Sequence, residues 1–418
     1  MENKYKSIQL SFIIIIIFES IDYYIGTYNN FFIKLMMNSY IYISLFLLLK
    51  NTNKSNLTEC PKLIINLLSL LILIGLFEIF FNFDENSNLI MNNYFISNFG
   101  NIYFGPMFLA PFFFLLGFNR DIIYYFEKIS FLTIIAGIII NYYFLITGEK
   151  IILSLLVPSY YLLAGYNYKS NIKKIIIIIA LILCIIYFLD NTFNSYRSGI
   201  VRIILSIFPI LIVLFKSKKF NIFFFLALLF APLLILYNYF YTNFIEIFLE
   251  NMFNLNLINH IFTDTRTFLY KEFFNEFFQE DIFHILFGKG SLGTYYSNYF
   301  DVNYYDLNSD FYIRSISEVG IIQLILKGGF VYIFIFYTIL ILIIFRSINN
   351  SNNRYITIQT FNLLFFILFM YFENIPSYSF LYISFWIIAG ICSNKAFIKL
   401  NDESIKKNIL EKSNRPYI

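Results

Sequence analysis

Twelve apolar runs, each cut off by a short polar stretch, organise this chain. They lie near 8–26, 31–49, 63–83, 100–118, 129–147, 151–168, 172–190, 198–215, 220–241, 316–345, 355–372 and 377–393. Runs of about 17–25 apolar residues are long enough to cross a bilayer as helices. The pattern therefore predicts an all-α, polytopic integral membrane protein of about twelve transmembrane helices. The tenth run, "ISEVGIIQLILKGGFVYIFIFYTILILIIF", is too long for one simple span and is interrupted by Lys327, Gly328 and Gly329. A kink or a re-entrant start is expected there, because irregular backbone at membrane depth is tolerated only against protein or water.

The polar stretches carry a charge asymmetry. With the N-terminus on the cytoplasmic side, the tail and alternate loops (50–62, 119–128, 169–174, 216–219, 346–354 and 394–418) collect 21 of the 30 Lys and Arg residues. The same loops hold only 7 of the 26 acidic residues. That is the positive-inside pattern, and it places both termini in the cytoplasm. Residues 1–418 read as a single membrane domain ending in a cytoplasmic tail, 394–418. One connection is long: 242–315, on the outer face. Long loops in compact proteins are usually functional.

Composition supports the membrane reading. The chain is 59% hydrophobic and 13% charged, whereas soluble domains are nearer half apolar and a quarter charged. The three cysteines suggest neither a disulfide framework nor a zinc site. The first apolar run carries Glu19 and Asp22 and lacks a small-residue cleavage site, so it reads as a retained helix. His260 and His284 stand 24 residues apart without further ligands nearby, so no metal is expected. "GKGSLG" (Gly288–Gly293) lacks the length and context of a P-loop and reads as a turn. No repeat of broken helices marks a common transporter fold.

Candidate chemistry lies in the outer cations. Four of the nine are Arg (Arg197, Arg202, Arg266 and Arg314), against four of 21 inside. Arg suits sites where a planar fork grips phosphate or carboxylate in two places. Arg197 sits at the mouth of the eighth run and Arg202 about one turn deeper, where an ionisable residue suggests function. The alternative is that Arg202 reaches the headgroups or pairs with Asp190 or Glu373.

The loop segment "TDTRTFLYKEFFNEFFQEDIFHILFGKG" predicts an amphipathic helix lying on the membrane. Thr263, Asp264 or Thr265 would cap it. Leu269, Phe273 and Phe277 share one face, and Glu272, Glu276 and Glu280 another. Arg266 in its first turn fits an anion held at the helix N-terminus, or a salt bridge to Asp264. Further on, Asp310, Arg314 and Glu318 recur every fourth residue. On a helix they would share a face, either satisfying one another or presenting a carboxylate beside an anion-binding guanidinium.

These features resemble the bacterial O-antigen polymerase and ligase superfamily. "SYRSGIVRIILSIFPILIVL" resembles that family's serine-arginine-glycine entry into a long apolar helix. "TRTFLYKEFF" resembles the arginine-led segment that opens its loop helix. "SDFYIRSISEVGIIQLIL" resembles the segment that closes the loop, where Tyr312, Ile313, Glu318 and Gly320 match the ligase pattern. The ligase histidine falls on Ser309 and its neighbour on Asp310, which favours the polymerase.

The resemblance implies a membrane glycosyltransferase of the bacterial cytoplasmic (inner) membrane. It would join polyprenyl-diphosphate-linked oligosaccharide units of an O-antigen, capsule or exopolysaccharide on the outer face. Neither metal, nucleotide sugar nor other cofactor would be needed. Arg197, Arg202, Arg266 and Arg314 would bind the diphosphates, and Asp310 or Glu318 would act as base. Tyr312 and tyrosines 295, 296, 299, 304 and 305 would stack on sugar rings, although Tyr is abundant throughout the chain. Partners implied are the lipid-linked substrate, membrane lipid and a chain-length regulator protein, with no nucleic acid. A flippase of the same lipid-linked sugar and an O-antigen ligase are the alternatives.

Overall fold

The computed structural model describes residues 14–15, 39, 41–47, 59–80, 101–119, 121–147, 155–156, 158–189, 218–241, 267–297 and 313–410. Most of these residues are helical. The α-helices are α1 (Lys62–Phe80), α2 (Ile122–Thr147), α3 (Pro158–Leu162), α4 (Asn171–Leu189), α5 (Lys218–Tyr241), α6 (Thr267–Phe277), α7 (Ile282–Phe287), α8 (Gly320–Asn350), α9 (Arg354–Phe369), α10 (Phe380–Ser393), α11 (Lys395–Lys399) and α12 (Asp402–Leu410). Two short strands, β1 (Tyr295–Tyr296) and β2 (Ile313–Arg314), pair antiparallel. Among the described residues, three helices are long and apolar enough to cross a membrane: α1, α2 from Ile122 to Tyr143, and α8. Large apolar side chains stand exposed along α1, α2 and α4, among them Leu73, Ile139, Tyr142, Ile172 and Ile175. Apolar faces of that extent need a non-aqueous covering.

The core forms where α10 packs on a 3-10 helix, Gly105–Phe118. The sequence predicts a spanning helix for this run. Fourteen 3-10 residues reach about 28 Å at roughly 2 Å each, close to the thickness of a bilayer core. Pro106 lies in its first turn and Pro111 in its interior, and an interior proline removes a helical hydrogen bond and clashes with the turn before it. Glycines permit the contact with α10. A Cβ built on Gly390 would lie 2.1 Å from the Phe114 carbonyl oxygen, and one on Gly117 would lie 2.3 Å from the Gly390 backbone. Beside this seam Phe385 stacks on Phe366 at 4.8 Å, and Phe336 meets Trp386 edge-on at 5.6 Å.

One predicted span is corrected. Within 151–168 the described residues form α3 and a 3-10 turn, Tyr166–Tyr168, instead of a crossing helix. Pro158 stands at the start of α3, and the residues from 158 to 165 are buried. The expected break in the tenth run is present. Gly329 interrupts α8 with φ 66° and ψ −174°, a conformation that favours glycine.

Hydrogen bonds gather the connections into two ends. At the tail end, Asn353 donates to the Phe397 and Leu400 carbonyls (3.0 and 2.8 Å) and Asn394 to that of Gly117 (3.3 Å). Asp402 accepts from Tyr168 Oη (2.5 Å) and from the Arg354 N–H (2.8 Å). A buried Glu127–Lys169 ion pair completes it. Burial pushes the nearby Cys60 thiol up to about 11, leaving it an unreactive packing group. At the loop end, Tyr378 N–H donates to Ile102 O (2.8 Å), Gly320 N–H to Glu373 O (2.9 Å) and Ser291 N–H to Glu78 O (3.0 Å). Among the described residues, the connections around 117–127, 168–169, 353–354 and 394–402 thus meet at one end of the helices.

Gly390→Ala is expected to destabilise the protein by about 2–3 kcal/mol, since the new methyl meets backbone that cannot yield. Gly75→Ala, whose methyl would meet only the Phe108 side chain at 3.0 Å, should change stability by less than about 1 kcal/mol, because the gain in helix propensity offsets the tighter packing. Thermal unfolding of both variants in detergent checks the contrast.

Candidate functional site

The loop end is built on the break in α8. From Gly320 to Gly329 every residue of this helix is buried, and apart from Gln323 and Lys327 its first turns offer apolar surface. Helix α6 supplies the complementary stripe. Leu269, Tyr270, Phe273 and Phe277 pack on Ile321, Ile322, Ile325 and Leu326, and Tyr270 Oη donates to the Tyr371 carbonyl at 2.8 Å. The expected apolar stripe is present and packs on α8, while Phe278, Ile282, Phe283 and Leu286 of the same segment remain exposed. The predicted single helix also divides in two. Asp281 caps α7 by accepting the His284 N–H (2.8 Å), and His284 Nδ1 lies 2.9 Å from the same carboxylate. These bonds hold the Asp281 carboxyl below its usual range.

The acidic face of α6 anchors the "GKGSLG" turn, in which Gly288 and Gly290 have φ of 80° and 83°. Lys289 is buried within it. Its ammonium contacts Glu276 (2.9 Å) and Glu280 (2.8 Å) and donates to the Thr294 carbonyl (3.0 Å). Burial alone would pull the Lys289 ammonium down; the Glu280 and Glu276 carboxylates outweigh it, so the net shift is upward. Glu276 also accepts the Tyr296 N–H (2.5 Å), and Glu272 accepts Ser297 Oγ (2.5 Å). In this way α6 positions β1.

Strand β1 in turn fixes β2, with Tyr295 opposite Arg314 and Tyr296 opposite Ile313. Arg314 Nη2 lies 3.6 Å from Glu318 Oε1. The sequence places Asp310, Arg314 and Glu318 on one helical face. The structure corrects this: 313–314 is a strand, and helix begins again only at Gly320. The bend between them brings Arg314 and Glu318 together instead. Gln323 holds that bend, accepting the Ser317 N–H (2.8 Å) and donating to Tyr103 O (3.2 Å). Beside the pair, burial pushes the Tyr295 hydroxyl up, with the Arg314 guanidinium opposing.

Of the residues chosen from sequence, Arg314 and Glu318 therefore meet. Arg197, Arg202, Arg266, Asp310 and Tyr312 lie outside the described residues, as do Ser309 and His260. Sequence reasoning passed over Lys289 and Gln323 as structural polar groups, and did not foresee the setting of Lys327. The Lys327 side chain is fully buried, its ammonium bonded to the Ser291 carbonyl and 4.4 Å from the centre of the Phe104 ring. The signal available was a polar residue inside an apolar run: Gln323 in "IIQLIL", Glu78 in "LFEIF". Among the described residues, no three His, Cys, Asp or Glu side chains are grouped to hold a metal ion.

The arrangement offers a guanidinium largely shielded from water (side chain 18% exposed) beside a carboxylate that reaches it (43%). Such a pair can bind an anion through the first group and accept a proton through the second. Comparison of the chain with protein-family models, with curated proteins and with solved structures gives no match.

Lys289→Met should loosen the turn by about 1–3 kcal/mol, because Glu276 and Glu280 lose their counter-ion but can still draw in water. Limited proteolysis around 288–297 measures this. The raised Lys289 value fixes the sign of the pH effect. Its contribution is complete below the ordinary lysine range and disappears as pH climbs through the raised value. Alkaline loosening of the turn is therefore expected in the wild type and should be absent in Lys289→Met.

Proposed function

We propose that the chain is a metal-independent membrane glycosyltransferase that polymerises lipid-linked oligosaccharide repeat units. The growing glycan is transferred from a polyprenyl-diphosphate donor to a lipid-linked acceptor on the outer face of the bacterial cytoplasmic membrane. The observation that carries this reading is the meeting of Arg314 and Glu318 at the close of the long loop, beside the apolar surface of α8. At 3.6 Å their contact is looser than a bidentate clamp, so a diphosphate can compete for the guanidinium. In the proposed step Arg314 stabilises the charge that develops on the departing diphosphate. Glu318, or Asp310, takes the proton from the acceptor hydroxyl as its oxygen attacks the sugar. Arg197, Arg202 and Arg266 share the two diphosphates, and Tyr312 packs on a sugar ring.

A flippase of the same lipid-linked sugar is the second reading. Charge buried among the helices favours it: Glu78 on α1 and Lys327 on α8 are both fully enclosed. Polymerisation by the purified protein in lipid vesicles, with lipid-linked repeat units as the only substrate, tests the first reading. Arg314→Lys should retain the charge yet lose about ten- to a hundredfold in rate, because one ammonium cannot replace a planar fork. Glu318→Gln and Asp310→Gln together identify the base: the variant that loses activity carries it. Undiminished polymerisation with Arg314→Ala would exclude the assigned role.

A further inference from the structure

Beyond its break, α8 carries one exposed apolar stripe. Phe330, Phe334, Ile341 and Phe345 follow one another at helical spacing, so they share a face. Phe334 is 72% exposed, Phe345 is exposed, and Phe330 and Ile341 are half-buried. Tyr332, Phe336, Ile339 and Ile343, on the other side of the helix, are buried. The 21 residues from Phe330 to Asn350 rise about 31 Å, close to the depth of a bilayer's hydrocarbon core. A stripe of this length and composition suits acyl chains, and it puts Gly329 at the edge of the core.

The apolar surface does not stop at the break. Phe278, just after α6, stacks on Phe330 at 6.3 Å and on Phe274 at 5.4 Å, yet it is 60% exposed. Ile282 and Leu286 of α7 continue from it at intervals of four residues, and Ile282 is 76% exposed. The contact between Leu286 O and the backbone at Gly329 sets α7 at the level of the break. Single exposed apolar residues are ordinary. A row that joins a helix long and apolar enough to cross a membrane marks a surface that lipid covers.

Polar groups border this row without interrupting it. Lys271, Asn275 and Gln279 are exposed along its edge, as on a helix that lies at a membrane interface. The carboxylates are engaged by protein: Glu272 with Ser297, Glu276 and Glu280 with Lys289, and Asp281 with the His284 N–H. The corner between α6 and α7 therefore offers carbon to its surroundings, and it has no basic cluster of the kind that selects anionic headgroups.

We propose that this corner enters the membrane, with Phe278, Ile282 and Leu286 among the acyl chains beside Phe330 and Phe334. The occupant is the bilayer itself, and neutral lipid suffices. The inserted row is not the stripe of Leu269, Phe273 and Phe277, which packs on α8, but the one next to it. Because α6 also holds β1, the strand bearing Arg314 is tied to the same membrane surface. This inference does not depend on the glycan chemistry.

The test uses the full chain in phosphatidylcholine nanodiscs, with and without acyl chains brominated near the headgroup. The chain's one tryptophan, Trp386, is fully buried and gives the baseline emission. Ile282→Trp should add emission that brominated lipid quenches and aqueous iodide spares. Gln279→Trp, on the polar border, should add emission that iodide quenches. Added emission from Ile282→Trp that only iodide quenches would place the corner in water and overturn the proposal. Emission spared by both quenchers would mean that protein, such as a second copy of the chain, covers the corner, and would overturn it equally. Should Ile282→Trp not fold, Leu286→Trp gives the same reading.

Discussion

The loop end depends on the interruption of α8 at Gly328 and Gly329. A straight helix would hold the Leu326 carbonyl within its own ladder. Here that carbonyl accepts the Lys289 N–H at 2.8 Å, and the turn packs backbone to backbone on the break. A Cβ on Gly329 would fall 2.3 Å from Leu286 O and 2.4 Å from Gly288 N, so only glycine permits the contact. From this point the order is serial. The turn places Lys289, Lys289 joins the acidic face of α6, α6 accepts the β1 backbone, and β1 pairs with the strand that carries Arg314. A break in a membrane helix is tolerated where protein satisfies the freed groups, and this one is enclosed on all sides.

Charge follows the same logic. Lys289 is enclosed with two carboxylates, Lys169 with Glu127, and Lys327 with a carbonyl and an aromatic face. Each cation has a compensating neighbour, as burial demands.

Much of the architecture was legible in the sequence. The apolar runs at 63–83, 129–147 and 316–345 correspond to the three long apolar helices, and the Lys327–Gly329 break was readable because glycine pairs rarely interrupt a helix without purpose. The 3-10 form of 105–118 and the buried segment at 158–165 were not legible, since hydropathy reports how apolar a run is and not which backbone hydrogen bonds it makes. The stripe of Leu269, Phe273 and Phe277 was plain, yet lipid and protein are equally apolar partners, and only the fold selects α8. The Arg314–Glu318 approach was anticipated for the wrong reason: the four-residue spacing suggested a helical face, whereas a bend closed by Gln323 makes the contact. Glu276 and Glu280 looked like a solvated face because their partner, Lys289, lies in a turn whose docking no local pattern reveals.

The central claim concerns what the loop end does to a lipid-linked glycan. The most direct measurement is a clean deletion in the native bacterium, with the surface glycan resolved on a gel. The account predicts collapse of a ladder of chain lengths to a single repeat unit, restored by the wild-type chain and not by Arg314→Ala. Loss of all repeats from the surface, with lipid-linked units retained inside the cell, would contradict it and would make the enclosed charges of α1 and α8 part of a transport path.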